Sequence, residues 1–137
     1  MAEVALFPHD AAPSQPAAAI VSNGHSRALF CVAQAVYHES RGEPVAGQRA
    51  VADVVMNRAR RARSTPCAVV DAPGQFSGRS RWRVGRGADW DRAVTIARQS
   101  LSGVVHISPS ITSFHAARLG RAFRMPVRMR IGAHVFY

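Results

Sequence analysis

Apolar positions near the start of the folded part of the chain recur with a helical rhythm. Across R-A-L-F-C-V-A-Q-A-V-Y-H-E, from Arg27 to Glu39, the residues Leu29, Val32 and Val36 return every three or four positions and share one face. Ser26 stands where an N-cap would accept a backbone N–H. The run should stop over Ser40 to Gly42, because glycine terminates a helix well and Pro44 cannot continue a hydrogen-bonded interior. Pro44 instead suits the first turn of a second helix, which the stripe Val51, Val54, Val55 and Ala59 carries to about Arg61. Ala46, Ala50 and Ala52 let a neighbouring helix approach, while the valines lower intrinsic propensity and call for tertiary burial.

Ser64, Thr65 and Pro66 then mark a turn. Between Ala72 and Ala88 five residues are Pro or Gly, which predicts a long loop of the kind that is usually functional or disordered. Asp89 is placed to cap a third helix, Trp90 to Leu101, closed by Ser102 and Gly103. Val104 to Ser113 has no firm period. From Val127 to Tyr137, Met129, Ile131 and Val135 fall at two- and four-residue steps, a short strand-like signal. The fold class expected is mainly α with a small β element. Residues 1–26, rich in Ala, Pro and Ser and free of arginine, read as a flexible arm ahead of one folded domain at 27–137.

Composition narrows the picture. At 137 residues and 47% hydrophobic content the chain can build one core and leaves little room for a second domain. Its 18 basic residues are all arginine, and against 8 acidic ones they give a formal charge of +10. Such a balance attracts polyanions: nucleic acid, anionic lipid or acidic wall polymers. No stretch approaches the roughly 20 apolar residues that a membrane span needs. Glu3 and Asp10 occupy the region where a secretory signal is basic, and Ala17 to Val21 is too short for its apolar core. Such a chain is expected to stay in the cytoplasm, to be a mature form without its leader, or to leave the cell by a route such as phage lysis.

The segment Y-H-E-S-R-G-E-P is the richest in chemistry. It places Glu39 and Glu43 within five positions of an otherwise basic chain. A glutamate in a helix's last turn faces the negative pole of the dipole. Burial beneath an aromatic such as Tyr37 or Phe76 would raise its pKa further, toward the range of a general acid, provided Arg41 points elsewhere. The plainer account makes both glutamates surface carboxylates balancing arginines, with Glu43 capping the second helix. His38, His106, His115 and His134 are scattered, without H-E-x-x-H spacing, and no glycine-rich nucleotide loop is present. No metal or cofactor is therefore assigned. Cys31 and Cys67, 36 residues apart, are either a disulfide or two buried thiols. Arg79, Arg81, Arg83 and Arg86 around Trp82 fit either a solvated basic loop or a nucleic-acid contact, the latter as a secondary reading.

Taken in order, A-V-Y-H-E-S-R-G-E-P-V-A-G-Q-R-A-V-A-D-V-V-M-N-R, P-C-A-V-V, G-Q-F-S and the ending R-I-G-A-H-V-F-Y resemble the cell wall hydrolase family typified by the SleB spore-cortex-lytic enzyme. The resemblance covers about residues 29–137. It implies a lysozyme-like, mainly helical fold and cleavage of peptidoglycan glycan strands between N-acetylmuramic acid and N-acetylglucosamine. The reaction it implies is that of a lytic transglycosylase, with one glutamate as acid and base and 1,6-anhydro-muramyl ends as product. The first glutamate of the family pattern falls on Glu39, and Glu43 takes a supporting or structural place. Tyr37, Gln75, Phe76 and His115 are then expected to border substrate, and the cysteine positions favour a Cys31–Cys67 disulfide. The stretch A-A-R-L-G-R-A-F-R-M-P departs from the family pattern, with Phe123 near where a tryptophan often stands, which bears on subsite shape. A muramidase-type hydrolase and a non-catalytic wall-binding module remain the alternatives. The site of action implied is the cell envelope or a phage-associated particle.

Overall fold

The computed structural model describes residues 17–76, 83, 85–120 and 124–137, with the side chains of 17–23 left aside. Four helices, α1 (Ala17–Ser40), α2 (Val45–Arg61), α3 (Pro66–Asp71) and α4 (Gly87–Leu101), precede three short strands, β1 (Phe114–Ala116), β2 (Met129–Ile131) and β3 (His134–Phe136). The fold is mainly helical with a small three-stranded antiparallel sheet, in the order β1-β3-β2. No helix among the described residues is long and apolar enough to cross a membrane.

α1 packs against each of the other three helices. The stripe expected on it is real: Val32 and Val36 are fully buried, and Leu29 is packed at the edge of the same cluster. The helix starts earlier than its apolar rhythm, at Ala17, so Ser26 lies inside it rather than capping it. Gly42 takes φ +85°, the left-handed turn that lets the chain leave α1 and enter α2 after Pro44. All four residues of the α2 stripe are buried, which supplies the tertiary burial that its valines require.

Two further elements differ from expectation. The turn at Ser64 to Pro66 opens into α3, where Thr65 Oγ1 accepts from the Ala68 N–H at 3.1 Å and Pro66 takes the first helical position. α4 begins at Gly87 with Arg86 before it, so Asp89 sits in the first turn instead of at the cap. There its charge still favours the positive helix pole. Cys31 and Cys67 are joined as a disulfide, which ties α3 to the middle of α1.

The core has two parts. One lies among the helices with Val36, Val55, Val70, Phe76 and Ile96; the other joins α2 to the sheet through Val51, Val54, Ile107, Ile111 and Phe136. Phe114 on β1 packs against both. Its ring centroid lies 5.7 Å from that of Phe136 and 6.3 Å from that of Phe76.

Candidate active site

Glu39 occupies the last turn of α1. It is half-buried, and its carboxylate has no hydrogen-bond or ion-pair partner among the described residues. Burial raises its pKa above the ordinary glutamate value. Arg41, the nearest cation in sequence, lies over the Tyr37 ring with its guanidinium carbon 4.6 Å from the centroid. Tyr37 and Glu39, two residues apart, leave the helix about 200° from each other. The Tyr37 ring meets Trp90 edge-on at 5.7 Å and His38 at 5.0 Å. His38 Nε2 bonds the Arg83 carbonyl at 2.8 Å. Tyr37 therefore packs α4 and the end of the long loop onto α1, on a different face from Glu39.

Glu43 faces the sheet. Its Oε2 accepts from the Ala133 N–H at 3.0 Å, and its carbonyl accepts from Gln48 Nε2 at 2.9 Å. The α1–α2 turn is thus clipped to the β2–β3 turn. Gly132, in that turn at φ +55°, has no room for a side chain: a Cβ there would run into Glu43 Oε2 and stand 2.8 Å from Pro44 Cδ. Glu43 also borders a cleft of about 400 Å³ with Arg118, Arg130 and His134. Burial lowers the His134 pKa, with Glu43 pulling it up and His115 pushing it down.

Gln75 is exposed and accepts a hydrogen bond from Arg58 at 3.1 Å. Phe76, next to it, is 4% exposed and belongs to the core, with the Arg58 guanidinium 5.5 Å from its ring centroid. His115, midway along β1, stacks on Tyr137 at 5.3 Å and bonds the Gly120 carbonyl through Nε2. Gln75 is thus the more accessible of the two G-Q-F-S positions. Arg79, Arg81, Trp82 and Phe123 lie outside the described residues, while Arg83 and Arg86 are exposed.

Three polar residues of α2 organise this region. Asp53, 3% exposed, accepts from the backbone N–H of His106 at 2.6 Å and of Ile107 at 3.0 Å, and from Ser100 Oγ at 3.3 Å. Asn57 donates to the carbonyls of Ser108 at 3.0 Å and Ile111 at 2.9 Å. Arg58 Nε donates to the Thr112 carbonyl. Asp53 and Asn57, at i and i+4, share one face of the helix, with Arg58 turned further round it, and together the three hold the non-repetitive segment 106–112 that leads into β1. Reading the sequence for catalytic chemistry does not assign them this bracing role. Their signal is polar residues recurring at helical spacing inside an apolar stripe.

A family described as Cell Wall Hydrolase matches residues 42–137. That span opens three residues beyond Glu39 and includes Glu43, Asp53, Asn57 and the whole sheet. Among solved structures the chain is similar to the catalytic domain of the Bacillus cereus SleB protein, with 27% identity and a TM-score of 0.66. The likeness covers 81% of this chain and 89% of that one. No curated protein matches. With the matched span running through both core clusters and all three strands, the chain belongs to the cell wall hydrolase family.

Proposed function

We propose that this protein cleaves the glycan strands of peptidoglycan between N-acetylmuramic acid and N-acetylglucosamine, as a lytic transglycosylase with Glu39 as its single acid and base. The observation that carries this reading is the Glu39 carboxyl: half-buried, without a counter-ion among the described residues, and held toward its protonated form by burial. A protonated carboxyl can donate to the glycosidic oxygen as the bond breaks. The resulting carboxylate then takes the proton from the muramyl C6 hydroxyl as that oxygen closes on C1. An attacking group already fixed to the sugar needs no captured water, so one residue serves both transfers.

Hydrolysis with two carboxylates needs a second acid across the sugar. Glu43 Oε2 is engaged by the Ala133 N–H, and Asp53 is buried under three donors. Both arrangements favour the one-carboxylate route, and Glu43 takes the structural part. Gln75 and His115 are proposed to border the glycan. The proposed place of action is the cell envelope or a phage-associated particle.

The test is mass spectrometry of soluble products from purified peptidoglycan, with wild type beside Glu39→Gln. Anhydro-muramyl ends from wild type that vanish in the variant are expected. Reducing muramyl ends would replace the mechanism by hydrolysis. Undiminished release by the variant would remove Glu39 from the chemistry.

A further inference from the structure

Two adjoining clefts open at the C-terminal end of α2, and neither is lined by Glu39. One, of about 420 Å³, has Arg58, Arg61, Gln75 and Thr112 on its walls. The other, of about 520 Å³, shares Arg61 and Thr112 and adds Arg60 and Ser110. Among the described residues no acidic side chain lines either one. None of the three arginines pairs with a described carboxylate, since Arg58 uses its donors on the neutral oxygens of Thr112 and Gln75. A half-buried guanidinium is ordinarily paired. The carbonyl pole of α2 offers only about half a negative charge against these three positive ones.

We infer that these arginine-lined clefts form a subsite for the carboxylates of the peptide stems that substrate strands carry. The inference rests on the glycan-cleaving reading above and extends it from the sugar to the peptide. Guanidinium forks match carboxylates in bidentate geometry. The rest of the first cleft's lining is small, with Ala62, Ala68, Val69 and Ala72 beside the hydroxyls of Ser64 and Ser113, and the alanines suit the methyl side chains of wall peptides. Among the described residues its lining holds no aromatic, as base stacking by a nucleic acid would need.

Reach decides which stem is meant. Arg58 and Arg61 lie about 20 and 24 Å along α2 from Val45, which follows the turn beside Glu39. Four extended peptide residues span at most about 14 Å. The stem that meets the arginines is therefore carried by a sugar farther along the strand than the one held at Glu39.

The experiment measures binding in the Glu39→Gln background, so that cleavage does not intervene. The ligands are strands with free-acid stems, strands with amidated stems, strands stripped of stems, and stem-free strands bearing phosphodiester polymer. Arg60→Gln and Arg61→Gln, both at exposed positions, serve as variants, with circular dichroism confirming the fold. Each should weaken binding to free-acid stems by about two- to fivefold, the range of an exposed ion pair, and leave stripped strands unaffected. Amidation should reproduce that loss in the parent. Equal losses on stripped strands, or losses that follow the phosphodiester polymer, would overturn the inference while leaving glycan cleavage intact. Binding to no strand at all would overturn the glycan reading and this one with it.

Discussion

Asp53 offers the sharpest test of how the fold holds its site. Its Oδ2 accepts two backbone N–H groups, from His106 at 2.6 Å and Ile107 at 3.0 Å, and its Oδ1 accepts from Ser100 Oγ at 3.3 Å. Hydrogen bonds to a charged acceptor contribute about 1.5–3 kcal/mol each, and orphaned N–H groups cost in the same range. Asp53→Ala, which strands both N–H groups, should therefore destabilise by about 3–5 kcal/mol. For a domain of this size about 1 kcal/mol moves Tm by roughly 3–5 °C, so the midpoint should fall by roughly 10–20 °C. Asp53→Asn can still turn its amide oxygen to the two N–H groups and its NH2 to Ser100, so it should lose only about 1–2 kcal/mol. The assay is urea unfolding followed by circular dichroism, with hydrogen exchange at Ile107 reporting local opening. The brace would be refuted if alanine cost less than about 1 kcal/mol, or if alanine and asparagine cost the same.

Other outcomes follow from the same geometry. Replacing Cys31 and Cys67 together by alanine opens a loop of 36 residues and should cost about 3–4 kcal/mol on the chain-entropy estimate, which calorimetry beside the parent would measure. Gly132→Ala drives a Cβ into Glu43 Oε2 at a positive φ and should cost about 1–3 kcal/mol. Adding Glu43→Ala to it should recover part of that loss in a double-mutant cycle, and strict additivity would refute the contact. Glu39 has a folded-state pKa above its unfolded value, so the folded chain holds the extra proton. The stability this contributes is present below the unfolded pKa and is lost as pH rises through the folded one. Glu39→Gln, which stays neutral, should therefore melt higher than wild type at pH 7, with the gap closing toward pH 4; a gap that is constant with pH would refute the burial argument.

How much of this was legible depended on the length of each element. α1 and α2 are long enough for Val32, Val36, Val51 and Val55 to show a period, and Gly42 with Pro44 punctuated them correctly. α3 has six residues and β1 three, too few for any rhythm, whereas the steps of Met129, Ile131 and Val135 did mark the stretch that holds β2 and β3; β1 forms because β3 pairs with it across a long connection. The beginning of α1 was missed because its first turns carry no apolar stripe to read, and the end of α4 was found because Ser102 and Gly103 close it. Phe76 looked like a cleft residue from its motif, yet it is packed in the core, against partners distant in sequence such as Phe114 and Arg58.

The segment that carried the resemblance mixes two kinds of residue that spacing alone does not separate. Glu39 and Glu43 stand four apart in one motif, but Glu39 has no partner among the described residues while Glu43 is clipped to Ala133 from ninety residues away. Asp53, Asn57 and Arg58 follow on α2, where each polar group is turned to a backbone atom of segment 106–112. A motif can thus be specific because it conducts chemistry or because it holds a non-repetitive segment in place, and partner atoms distinguish the two. A carboxylate that is buried yet unpaired costs the fold stability at neutral pH, as the Glu39→Gln melting curve would reveal. One that is saturated by backbone donors supports the fold, as Asp53→Ala would reveal. The two substitutions should therefore change stability in opposite directions at pH 7, although both remove an acid from the same stretch of sequence.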